Sequence, residues 1–135
     1  MDDEKTISLL NLIGNILHES NHLLDGTLLF ARVAEGMVAP SVFHDDDDQI
    51  TFQWASPDLM DPLLDLWGLA DPDKRWAEIE YVVRDGAFEV HLTYPEDIDP
   101  DEDSLDRRTR IVKRHFGDKP IVYPPLPDDE HLFEL

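Results

Sequence analysis

The segment His18-Glu19-Ser20-Asn21-His22 reads H-E-x-x-H. On a helix, histidines four residues apart share a face and can grip zinc while the glutamate activates a water. Here the leucines of the same segment fall on the other side of the helix, so both imidazoles are expected in solvent. No third ligand follows. The match yields a metal-dependent hydrolase only as a third reading, and no catalytic residue, metal or cofactor is assigned.

A second chemistry-bearing stretch is the run Asp45, Asp46, Asp47 and Asp48. Adjacent aspartates cannot all point at one ion. A calcium loop needs alternating ligands, glycine at its sixth position and glutamate at its twelfth, whereas the sixth residue from Asp45 is Ile50. Aspartate favours turns because its carboxylate bonds nearby backbone N–H groups. The run is therefore expected as a hairpin connection, exposed and available to a partner. A second acidic loop, "PEDIDPDEDS" from 95 to 104, contributes Glu96, Asp97 and Asp99 to the same set of partner-binding candidates. The chain has no Gly-rich phosphate loop, no nucleophile elbow and no cysteine, so thiol chemistry, disulfides and thiolate metal sites are excluded.

The elements that must carry these residues follow from periodicity. Residues 4–25 place Leu9, Leu10, Leu12, Ile13, Ile16, Leu17, Leu23 and Leu24 on one helical face, with Asn11, Asn15, His18 and His22 opposite. Gly26 is a plausible stop. Strands are expected at 28–34, 37–44 and 49–54, the first two joined by Glu35-Gly36, and Pro40 marks the second as an edge or bulged strand. Ser56-Pro57 and Asp61-Pro62 are helix-start signals for a turn and a helix running to about Leu69. Asp85-Gly86 is a type I′ turn pair, which fixes the register of the hairpin 76–94. Val83, Tyr81 and Ile79 then oppose Phe88, Val90 and Leu92 on one face. Val82, Glu80 and Glu78 oppose Glu89, His91 and Thr93 on the other. A basic helix is expected from Leu105 to Phe116, closed by Gly117, then a proline-rich acidic tail from about 120 whose last residues, "DEHLFEL", could dock. Trp54, Trp67 and Trp76 read as core anchors. The sum is one α+β domain over 1–135: a largely antiparallel sheet of about five strands with helices packed on one face.

Net charge is −20 over 135 residues, and residues 104–119 carry +4 of it, leaving −24 on the remainder. That balance disfavours nucleic acid and anionic membranes and favours basic partners. No apolar run of about 18 residues exists to span a bilayer, and the acidic start Met1-Asp2-Asp3-Glu4 is the opposite of a signal-peptide n-region. The expected location is the cytoplasm of a bacterium.

The second half, "RWAEIEYVVRDGAFEVHLTYPED" followed by an acidic loop and "SLDRRTRIVKRHFGDKPIVYPP", resembles the YezG-like immunity protein family over about residues 50–120. The matching positions are Trp76, Asp85, Gly86, Phe88, Tyr94, Arg108, Phe116 and Gly117. The "HFGD" end and the proline-rich tail depart from the family pattern. The resemblance implies a small cytosolic protein, not an enzyme, that binds and neutralises a cognate toxin, commonly a nuclease. An acidic chaperone-like or regulatory binding module is the alternative reading of the same charge.

Overall fold

The structure is a computed structural model that describes residues 3–21 and 25–124. His22, Leu23, Leu24 and the tail from residue 125 lie outside the described residues. The order of elements is α1 (Asp3–Asn21), β1 (Thr27–Ala34), β2 (Met37–Asp46), β3 (Gln49–Gln53), a 3-10 turn (Pro57–Leu59), α2 (Met60–Gly68), β4 (Glu78–Arg84), β5 (Ala87–Thr93), a second 3-10 turn (Pro95–Asp97), α3 (Ser104–Phe116) and β6 (Ile121–Val122). The α+β class holds. The sheet has six strands in the order β5-β4-β1-β2-β3-β6, antiparallel throughout except for the two-residue β6, which runs parallel to β3.

The hairpin chemistry works as expected. Asp85 and Gly86 both have positive φ, 54° and 77°, the backbone that a type I′ turn requires. The resulting register pairs Val83 with Phe88, Tyr81 with Val90 and Ile79 with Leu92. Pro40 pairs with Ala31 in an unbroken register, so β2 carries no bulge there. β2 is an interior strand, but β3 pairs with it only from Val42 onward, so at Pro40 it has a neighbour on one side. A missing N–H costs nothing where no strand would have received it.

Helices cover both faces of the sheet, not one. On the first face Ile13, Ile16 and Leu17 of α1 and Leu59, Leu63 and Leu66 of the α2 region pack on Leu29, Ala31, Val33, Ile79, Tyr81 and Val83. On the second face Val112 and Phe116 of α3 pack on Leu28, Phe43, Ile50, Phe52 and Val82. Each fully buried side chain of this size contributes about 1.5–3 kcal/mol. The correction has a physical reason in β1, where Leu28, Leu29, Phe30 and Ala31 are apolar in succession. A strand with apolar residues on both sides needs a cover on both. The cover of the first face is incomplete. Phe88 and Val90 of the edge strand β5 are only half-buried and Leu92 is 41% exposed.

Leu12 was expected on the buried stripe of α1 but is 44% exposed. Of the tryptophans, Trp76 is buried and Trp67 half-buried, its indole N–H donating to the Trp76 carbonyl at 2.9 Å. Trp54 is half exposed, standing edge-on to Phe52 beyond the end of β3. No described helix is long and apolar enough to cross a membrane.

Candidate functional site

The acidic run divides in two. Asp45 and Asp46 belong to β2, opposite Ile50 and Gln49, and only Asp47 and Asp48 form the turn. Asp47 adopts a φ of 53°, a left-handed conformation that aspartate tolerates. Asp45 is half-buried and ion-paired with Lys119, a contact that ties the end of β2 to the segment after α3. Asp46 accepts a hydrogen bond from the Thr51 hydroxyl at 3.0 Å. Asp46, Asp47 and Asp48 are exposed. Of the four expected partner contacts, Asp45 is therefore already engaged within the chain.

The second acidic loop is also partly structural. Asp103 caps α3, its carboxylate accepting from the backbone N–H groups of Leu105 and Asp106 at 3.1 and 3.3 Å. Asp99 accepts from the Asp101 N–H at 2.9 Å, and Glu102 pairs with Arg110. Glu96 and Asp97 lie in the 3-10 turn after β5 and are exposed, as is Asp99. The strand registers place the two acidic sets at opposite ends of the sheet. Asp46 lies beyond the level of Thr27, whereas Thr93, just before the second loop, aligns through Glu78 with Arg32 near the other end of β1. The structure does not bring them together.

The basic helix is where the sequence reading missed most. Arg107 of α3 grips Glu78 of β4, with Nε 3.1 and 3.0 Å from the two carboxylate oxygens and a terminal nitrogen at 2.8 Å. Glu78 is 1% exposed. Glu80, two residues on, meets Arg114 at 2.5 Å and the His115 Nε2 at 2.7 Å. Burial pushes the Glu80 carboxyl up, but hydrogen bonds and charge from His115 and Arg114 outweigh it and hold it below its ordinary value of 4.5. Hydrogen bonding and charge from Glu78 raise Arg107 against the opposing effect of its burial. Arg110 pairs with Glu102, and Lys113 with Asp118. Arg108 instead lies over the rings of Phe43 and Phe52, 5.5 Å from each centroid, and donates to the Ser41 hydroxyl at 3.1 Å. The signal for this clasp was present: two glutamates alternating on one face of a strand, and arginine and histidine seven and eight residues after an arginine on a helix.

Chemically, the clasp neutralises the buried carboxylates of Glu78 and Glu80, while Asp46, Asp47, Asp48, Glu96 and Asp97 stay exposed. His18 and Glu19 are exposed on α1, and among the described residues no group of three His, Asp or Glu is placed to hold a metal ion. Compared with known proteins, the chain matches no family model and no curated relative.

Proposed function

We propose that this protein is a non-enzymatic, acidic binding protein of the bacterial cytoplasm that neutralises a basic partner, a cognate toxin of the kind the YezG-like resemblance implies. The observation that supports it best is the segregation of charge. Arg107, Arg110, Lys113, Arg114 and Lys119, five of the six basic residues in the positive window, each face a carboxylate of the same chain. The window therefore presents little positive field to a partner. Asp46, Asp47 and Asp48 at one end, and Glu96 and Asp97 at the other, stay exposed. A toxin that acts on nucleic acid presents a basic cleft to phosphates, and a surface of this sign can occupy such a cleft while raising the association rate.

The test is a salt series of binding kinetics between the full chain and the product of the adjacent gene, alongside growth of cells expressing that product with and without this protein. The reading expects rescue of growth and an association rate that falls steeply with ionic strength. Absence of binding to any neighbouring gene product would overturn it and return the choice to the chaperone-like alternative.

A further inference from the structure

The incomplete cover of the first sheet face leaves a groove of about 320 Å³ between α1, α2 and the β4–β5 hairpin. Its walls are apolar: Leu10, Leu66, Leu69, Trp76, Val90 and Leu92. It adjoins a second hollow of about 670 Å³ along the α1–α2 seam, the two sharing Leu69. Leu69 and Leu92 are 36% and 41% exposed, a large apolar outlay for an otherwise acidic surface. Gly68 opens onto the second hollow, and a Cβ added there would meet nothing within 4 Å.

The rim gives the groove a sign. Asp71 lines the groove and Glu4 and Asp65 line the adjoining hollow, and beyond Pro95 the exposed Glu96 and Asp97 follow Tyr94, another wall residue. Of the two lysines present, Lys74 lies over the Tyr94 ring at 6.0 Å and Lys5 stands beside Glu4 in the chain. We infer that this groove is the contact surface for the basic partner, and that it takes an amphipathic segment with apolar side chains on one face and lysine or arginine on its flanks. The inference rests on the function proposed above and adds the surface and the chemistry of the segment. Charge complementarity selects this occupant over the other two available. A second copy of the chain carries the same −20, and the chain's own tail brings Asp128, Asp129, Glu130 and Glu134. Helix-in-groove recognition reads its partner through apolar anchors, and rim charges set its orientation.

The probe is a fluorescein-labelled amphipathic Lys/Leu peptide, with a scrambled peptide of the same composition as control, titrated against the full-length protein. The amphipathic peptide is expected to bind at least about tenfold more tightly than its scramble. Gly68→Trp, which fills the hollow, and Leu92→Lys, which charges the groove wall, should each weaken it by about the same factor. Leu105→Ala, at an exposed position of α3 on the other face of the sheet, should leave binding unchanged. Unaltered thermal unfolding of each variant confirms that the fold is intact. Equal binding of both peptides, insensitive to Gly68→Trp, would overturn the groove and leave the acidic-binding function standing. Nuclear Overhauser contacts from Leu132 or Phe133 to Leu92 in the free protein would also overturn it, by assigning the groove to the tail. No salt-sensitive binding of either peptide would overturn the function itself.

Discussion

The Arg107 guanidinium closes on the Glu78 carboxylate through three N–H···O contacts of 2.8 to 3.1 Å, across the interface between α3 and the sheet. Glu78 is 1% exposed, and the Arg107 side chain 12%. Deep pairs of this kind stabilise little against a well-packed apolar pair, yet breaking one strands a charge in low dielectric. Arg107→Ala should therefore cost about 3–5 kcal/mol in urea unfolding. The double variant Glu78→Leu/Arg107→Met should recover most of that loss. A double variant as unstable as Arg107→Ala would mean that the pair positions α3 in a way that packing cannot replace.

Glu80 gives the acid side of the stability profile a definite direction. His115 and Arg114 hold its carboxyl below 4.5 in the folded protein despite burial. The unfolded chain binds that proton first as pH falls, so the stabilisation is fully present above about 4.5 and is lost as pH drops through the folded value. Glu102, lowered chiefly by its hydrogen bond to Arg110, acts in the same direction but lies nearer solvent and is screened. Unfolding midpoints from pH ~6 down to ~3 should fall in the native protein. The fall should be shallower in Glu80→Gln, which starts less stable. Parallel profiles for the two proteins would exclude Glu80 as the titrating group.

The contact of α1 with the sheet turns on a hydroxyl. Tyr81 Oη donates to the Leu10 carbonyl at 2.8 Å, and a Cβ on Gly14 would stand 2.7 Å from the same oxygen. Burial pushes the Tyr81 phenol up to about 12, so it remains a donor through the physiological range. Alanine in place of a mid-helix glycine ordinarily gains about 1 kcal/mol. Here the ring is 1% exposed and cannot swing aside. Gly14→Ala is expected to be net destabilising, by roughly 1–2 kcal/mol for overpacking less the helix gain. In a Tyr81→Phe background, which removes the obstructing oxygen, the same substitution should become neutral or stabilising. A double-mutant cycle showing no coupling would dismiss the clash.

How far these features were legible depended on how local their causes are. The β4–β5 register could be read because Asp85-Gly86 sets the turn and strict alternation sets the faces, all within 20 residues of chain. The clasp could not be read the same way. Glu78 and Glu80 alternate with Ile79 and Tyr81, and a polar face on a hairpin ordinarily meets water. Its cover, Arg107, Arg114 and His115, lies about 30 residues away, and no local rule couples the two. The consecutive apolar residues of β1 were the better guide, because they demand a second layer whatever the hairpin shows. The engagement of Asp45 within the chain was hidden for a related reason. Its cation, Lys119, arrives 74 residues later by way of α3. The groove was hidden because periodicity marks β5's apolar face as core, and only the lengths and placement of α1 and α2 decide how much of it they reach.

The last prediction separates the two acidic ends. Along β2 the seven steps from Ala39 to Asp46 span about 23 Å, nearly three Debye lengths of ~8 Å at physiological salt. A partner seated at one end is thus screened from exposed carboxylates at the other. The groove opens beside Tyr94, so the relevant carboxylates are Glu96, Asp97 and Asp99. Neutralising these three together should slow association with a basic partner by about tenfold at low salt and flatten its salt dependence. Dissociation should change less, because apolar anchors hold the complex and rim charges steer it. Neutralising Asp46, Asp47 and Asp48 should change association by no more than about twofold, the share of a more distant part of the same field. Asp45→Asn belongs to neither set and should instead lower stability by up to about 1 kcal/mol through loss of its pair with Lys119. Stopped-flow kinetics of the three variants across a salt series decides the matter. A larger effect from Asp46, Asp47 and Asp48 than from Glu96, Asp97 and Asp99 would move the contact to the turn end of the sheet, and the groove would then have to be abandoned as the docking surface.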